Sequence, residues 1–403
     1  MYRLSRLDLQ ADRKEVVVTG GDEKGRIAMF MPSFIKLVES GVNMLSQPAT
    51  SAAKFDEMYY ATEELTKGER QQAMALLAEQ NVPEGSIFVV SSGNKQSFDV
   101  VPRPARDGHD TELQWNALRG RQRGAKVVEM FLENPGRASI ETVVIPGCGS
   151  SALGAAALAK SVAEAFRTDD SDRKVAAIVA GQGAFDQWLE AASGGMLMAP
   201  MANLMNALDP MLELTASMNP VLAKFYIDDL VDAIHEAATL YAMLKASLVD
   251  GTFSELNMII SHSKGNWAVL AALLAFELEL PELERAGKLK EPGRRIAVVT
   301  FGNPVDLPDM HRTMKKLFHY HQFVGAADKL AHNCSMRAWK FHFNGEAKLD
   351  PRMPSFDAKD DPDERMFIDT EHHLFAKLDP ETGEELKPYH MPIKEILNQI
   401  RQL

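Results

Sequence analysis

The chain has 403 residues, 45% of them hydrophobic and 25% charged, an ordinary globular composition long enough for one large α/β domain or two smaller ones. Its net charge of −12 excludes a general nucleic-acid binder, which needs a basic footprint. Two cysteines, Cys148 and Cys334, form no disulfide framework and no zinc spacing; with no apolar leader in Met1–Val18 and no run of about 18 apolar residues to span a bilayer, a cytoplasmic protein is expected.

Residues 14–31 read as two short strands around a Gly/Asp turn, and 33–80 as mostly helical. A strand pair follows at 86–90 and 97–101, around Ser-Gly-Asn. The next helix, 111–133, is ended by Asn134-Pro135-Gly136. From Thr142 the pattern alternates. Strand 142–145 leads into Pro146-Gly147-Cys148-Gly149-Ser150 and a helix to about Phe166. Strand 175–181 precedes a mostly helical insert, 184–249. Strand 256–260 runs into a long apolar helix. Strands at 295–301, 319–325 and 339–343 complete the series. Strands alternating with helices predict a mainly parallel sheet with helices on both faces, and near-continuous apolar strands fit burial on both sides. The organisation expected is an N-terminal extension over 1–80 and an α/β domain over 81–403, with 184–249 inserted in it.

The junction Leu256–Glu279 carries the chemistry. An apolar strand meets Ser261-His262-Ser263-Lys264-Gly265 and a helix follows at once. This is the layout of a nucleophile elbow, G-x-S-x-G, which holds a serine on a sharp strand-to-helix turn. Ser261 stands where the first glycine belongs, and serine is still small. The ordinary alternative is a buried serine capping a helix.

A serine nucleophile needs a base, and the base needs a carboxylate. In a parallel sheet these collect beyond the carboxyl ends of later strands. Asp328 follows the strand 319–325 most directly, with Asp306 and Asp309 as rivals. His372 and His373 lie beyond the last strand candidate; His372 is preferred as base and His373 is the second choice. The oxyanion would be bound by the Lys264 N–H and by the N–H of Cys148 or Gly149, in the loop after strand 142–145. The order Ser263, Asp328, His372 is that of α/β-hydrolases.

Residues 142–375 resemble an α/β-hydrolase, and class 3 lipases are the nearest likeness within that superfamily. Thr300-Phe301-Gly302-Asn303-Pro304 is similar to that family's T-F-G-x-P stretch. Residues 323–333 are similar to its acid-bearing segment, which implies the acid role for Asp328 and a structural place for His332. His372-His373-Leu374-Phe375 is similar to its histidine segment. The family's elbow reads G-H-S-x-G-G; His262, Ser263 and Gly265 agree, while Ser261 and Asn266 depart. The resemblance implies an α/β-hydrolase fold and a lipase- or esterase-like serine hydrolase that needs no cofactor and acts on a lipid or small-molecule ester.

Six methionines between Met196 and Met218 suit an adaptable apolar wall, so 184–249 is read as a helical cap or lid; plain core packing is the alternative. The stretch after strand 142–145 also fits a dinucleotide fingerprint, but Gly181-Gln182 stands where its ribose-binding acid belongs. Ser261–Lys264 spells S-x-x-K without the companion motifs of penicillin-binding enzymes. Lys264 beside the nucleophile would favour an anionic substrate. His319 and His321 share a strand face, and 357–364 is acidic, yet neither has a full metal-ligand spacing, so no metal is expected. Two further readings stay open: a thioesterase or polyester depolymerase with the same triad, and a hydrolase fold without catalysis that serves as a scaffold.

Overall fold

The computed structural model describes residues 53–93, 98–101, 118–147, 150–168, 172–180, 231–290, 295–302, 312–325, 364–368 and 393–400, apart from a few positions within these stretches. The described elements are α1 (Lys67–Glu79), β1 (Ile87–Ser91), α2 (Gly120–Leu132), β2 (Thr142–Ile145), α3 (Ala152–Ala165), β3 (Lys174–Ile178) and α4 (His235–Lys245). They continue with β4 (Met258–His262), α5 (Gly265–Arg285), β5 (Ile296–Phe301), α6 (Arg312–Leu317), β6 (Phe318–Gly325), β7 (Glu364–Ile368) and α7 (Ile393–Ile400).

One seven-stranded sheet has the order β1-β3-β2-β4-β5-β6-β7. β1 runs antiparallel to β3, and every other pairing is parallel. The chain is thus of the α/β class expected. Side chains alternate with the period of two that a strand imposes. Val143, Ile145 and Ile259 face α2, α4 and α5, whereas Val144, Met258 and Ile260 face α1, α3 and α7. Burial on both faces explains why these strands read as unbroken apolar runs.

Strand β2 lies between β3 and β4, so the chain reverses its direction of travel across the sheet at this point. Helix α3, which follows β2, covers one face, and α5, which follows β4, covers the other. Two helices that leave adjacent strands for opposite faces open a crevice at the carboxyl ends of those strands.

Several expectations are refined. Of the strand predicted over 97–101, Val101 makes an isolated bridge to Ile87, and residues 94–97 lie outside the described residues. The helix predicted over 111–133 is described from Gly120, and Asn134 caps a 3-10 turn over Pro135–Arg137 by accepting the Gly136 N–H. The strand paired with β6 is 364–368, where no strand is predicted; it begins at Glu364, the last residue of the acidic run 357–364, which masks the apolar character of the residues that follow. The predicted 14–31 and 339–343 strands lie outside the described residues.

Residues 235–250, within the predicted insert, form α4 and a π turn that ends at left-handed Gly251 (φ 71°). Ala237, Leu240, Met243 and Leu244 are fully buried in the core with α2 and α5. The approach of α2 to α4 is close: a Cβ on Gly124 would lie 2.4 Å from the Ala238 carbonyl oxygen. Residues 181–230, which include the methionine-rich stretch, lie outside the described residues.

The segment before β1 is built into the same core. Thr66 and Glu69 form a capping box at the start of α1: the Glu69 N–H donates to Thr66 Oγ1, and the Thr66 N–H to Glu69 Oε2. The other oxygen of Glu69 receives Lys160 Nζ at 3.0 Å, and this pair, 1% and 2% exposed, pins α1 onto α3. The ammonium also donates to the carbonyls of Ser91 and Gly93. Removing one partner of a buried pair strands the other charge. Lys160→Met should therefore lower unfolding free energy by about 3–5 kcal/mol in urea, and adding Glu69→Gln should recover most of it.

Candidate active site

Strand β4 is buried throughout, and the chain turns at Ser263 before α5 begins at Gly265. Among the described residues Ser263 is the only non-glycine with a positive φ, 49°. That conformation costs an L-residue about 1–2 kcal/mol, so the surroundings must enforce it. They do so by crowding and by hydrogen bonds. A Cβ on Gly265 would lie 2.6 Å from the carbonyl oxygens of both Ile145 and Pro146, so only glycine lets α5 start here. The Ser263 N–H donates to the Phe301 carbonyl at 3.0 Å, and the Asn266 N–H donates to the Ser263 carbonyl at 3.0 Å.

The two departures from the glycine-rich elbow pattern are bonded to each other. Ser261 Oγ donates to Asn266 Oδ1 at 2.5 Å, and Asn266 Nδ2 donates to the Phe301 carbonyl at 3.1 Å. Both residues are fully buried. The Phe301 carbonyl thereby receives Ser263 and Asn266 together.

The loop after β2 closes on the serine. A Cβ on Gly147 would lie 2.8 Å from Ser263 Cβ and 3.0 Å from His262 Nδ1. The Ser150 N–H donates to the Gly147 carbonyl at 3.2 Å. Cys148 and Gly149 lie outside the described residues.

Two residues of the site come from the segment before the sheet, and the sequence reading had not singled them out. Tyr60 Oη accepts the Gly147 N–H at 2.7 Å and lies 2.8 Å from His262 Nδ1. Asp56, fully buried, receives the Ser151 hydroxyl at 2.5 Å and the Ser151 N–H at 3.3 Å. Ser150 Oγ and the Gly154 N–H also donate to it. Burial raises this carboxyl from its usual 3.8 to about 7, against the pull of those donors. These contacts join residues 87 and 95 positions apart, a separation with no local signature in the sequence.

Lys264 is engaged. Its Nζ donates to the Ala180 carbonyl at 3.4 Å and pairs with buried Glu236 at 3.7 Å. Its charge is thus matched within the protein, which removes the sequence argument for an anionic substrate. Ser261 and Lys264 likewise use their polar atoms on other partners, so no Ser–Lys pair forms.

Asp328, His372 and His373 lie outside the described residues. Asp328 follows the end of β6 by three positions, and His372 and His373 follow the end of β7 by four and five. The His319 and His321 rings lie with their centres 4.3 Å apart and their planes tilted by 55° on β6. Burial, with His319 adding to it, pushes the His321 imidazole down to about 4. Among the described residues no three metal-ligating side chains gather, and no helix is long and apolar enough to cross a membrane.

Compared with known proteins, the chain matches no family profile, no curated protein and no solved structure.

Two outcomes follow from this geometry. Ser261→Ala and Asn266→Ala each leave a buried polar partner unsatisfied and should each cost about 1–3 kcal/mol, while the double variant costs clearly less than their sum in denaturant melts. Asp56 keeps in the folded state a proton that the unfolded chain loses near pH 3.8. Its share of stability is complete below that pH and is lost as pH rises toward 7. Asp56→Asn should flatten that part of the stability–pH curve.

Proposed function

We propose that this protein is a serine hydrolase of carboxylic esters, lipase- or esterase-like, with the architecture of an α/β-hydrolase. The observation that carries this reading is the left-handed Ser263, held between β4 and α5 against the loop after β2. A nucleophile on such a turn presents its Oγ above the sheet edge, with the first amides of a helix beside it. The strand order, with an antiparallel first strand and six parallel ones, supports the same reading.

In this mechanism Ser263 Oγ attacks the ester carbonyl carbon, and His372, or His373 in its place, takes the hydroxyl proton. Asp328 orients that imidazole and stabilises its charged form. The tetrahedral oxyanion is bound by the Lys264 N–H and by the N–H of Cys148 or Gly149. Gly147 gives its own N–H to Tyr60, which leaves the role to the two residues after it. Collapse of the intermediate breaks the C–O bond, the histidine returns its proton to the leaving alcohol, and water then hydrolyses the acyl-enzyme. In sequence, Asp328 follows β6 by three positions and His372 follows β7 by four, and both strands run parallel to β4, which supports this reading. The methionine-rich stretch within 184–249 acts as an apolar lid in this account, and the setting is cytoplasmic.

The test is turnover of p-nitrophenyl esters of increasing chain length. Ser263→Ala should lower kcat by at least about 10³-fold with an unchanged melting temperature. Wild-type activity should fall below about pH 6.5 as the histidine protonates. Turnover by Ser263→Ala close to wild type contradicts the assignment.

A further inference from the structure

We infer that Asp56 and Tyr60 are positioning residues, a two-point clamp that holds Gly147 and Ser150–Ser151, the described ends of the loop after β2, against the turn that carries Ser263. This rests on Ser263 being the nucleophile. It extends the site to a segment that precedes the sheet in sequence.

The two residues lie one helical turn apart: the Tyr60 N–H donates to the Asp56 carbonyl at 2.8 Å. Both are buried, at 0% and 1% exposure. Their side chains take hold of opposite ends of the same loop. Tyr60 Oη receives the amide of Gly147, the first residue. Asp56 receives the amide and hydroxyl of Ser151, the last residue, and the hydroxyl of Ser150. The Ser150-to-Gly147 bond joins these two anchored ends. Held from both sides, Gly147 keeps its close approach to the Ser263 turn.

Tyr60 also ties the loop to the elbow. Its hydroxyl bonds both Gly147 and the ring of His262, the residue before Ser263, and the two rings meet edge to face at 5.4 Å. One oxygen thus sets the spacing between the nucleophile's turn and the loop that faces it. Placement of the nucleophile matters steeply: an error of about 1 Å costs about 10²-fold in rate. These bonds hold the loop and the turn, not the substrate.

The separation of the two effects supplies the test. Tyr60→Phe keeps the ring and removes the hydroxyl. It should lower kcat on p-nitrophenyl esters by about 10–100-fold, with KM within about 3-fold of wild type and a melting temperature within a few degrees. A trifluoromethyl ketone, whose hemiketal with Ser263 carries the oxyanion, should bind Tyr60→Phe weaker by the same factor. Asp56→Asn should show the same split, and it stands alone as the test if Tyr60→Phe does not fold. An active wild type whose variants keep full kcat and full ketone affinity overturns the clamp alone, as does a loss confined to KM or to melting temperature. A wild type that neither turns over esters nor binds the ketone overturns the nucleophile assignment, and the clamp with it.

Discussion

The left-handed backbone at Ser263 is the constraint on which the surrounding structure depends. A serine adopts φ 49° here because the strand behind it, the helix ahead of it and the loop beside it leave no other path. Gly265 lets α5 begin against the carbonyls that end β2, and Gly147 lets the neighbouring loop reach the serine. The Phe301 carbonyl, at the end of β5, receives the Ser263 amide and the Asn266 side chain. A strained residue kept by so many independent contacts is the kind of feature that points to a function.

The sheet sets up this meeting of segments before any side chain acts. β2 and β4 are neighbours, yet their following helices lie on opposite faces. The period of two then divides the elbow. Ser261 follows Ile259 toward α5, where Asn266 receives it, and His262 follows Ile260 to the other face, where Tyr60 meets it. Small residues let the layers close: α3 presents Ala155, Ala156 and Ala159, all fully buried. The charged atoms inside this layer are paired, Lys160 with Glu69 above all.

Much of this was legible in the sequence because it is local. Val143–Ile145 and Met258–Ile260 read as buried strands from their apolar runs, and Ser261–Gly265 read as an elbow from five adjacent residues. What escaped notice is non-local or compensatory. Nothing near Tyr60 or Asp56 announces a partner some 90 positions away. Ser261 and Asn266 look like two separate losses from a glycine pattern; in space they are one hydrogen bond. Strand β7 is short and adjoins acidic residues, so pairing with β6 rather than its own composition defines it. Residues 235–245 have the same apolar spacing in a core helix as in a lid, and their contacts with α2 and α5 decide between the two.

The most direct measurement is to treat the folded wild-type chain with a fluorophosphonate and map the adduct by peptide mass. A single phosphonyl group on Ser263, absent from heat-unfolded protein, is the predicted result. An adduct on another residue, or none on folded protein, would contradict the claim that this turn holds an activated nucleophile.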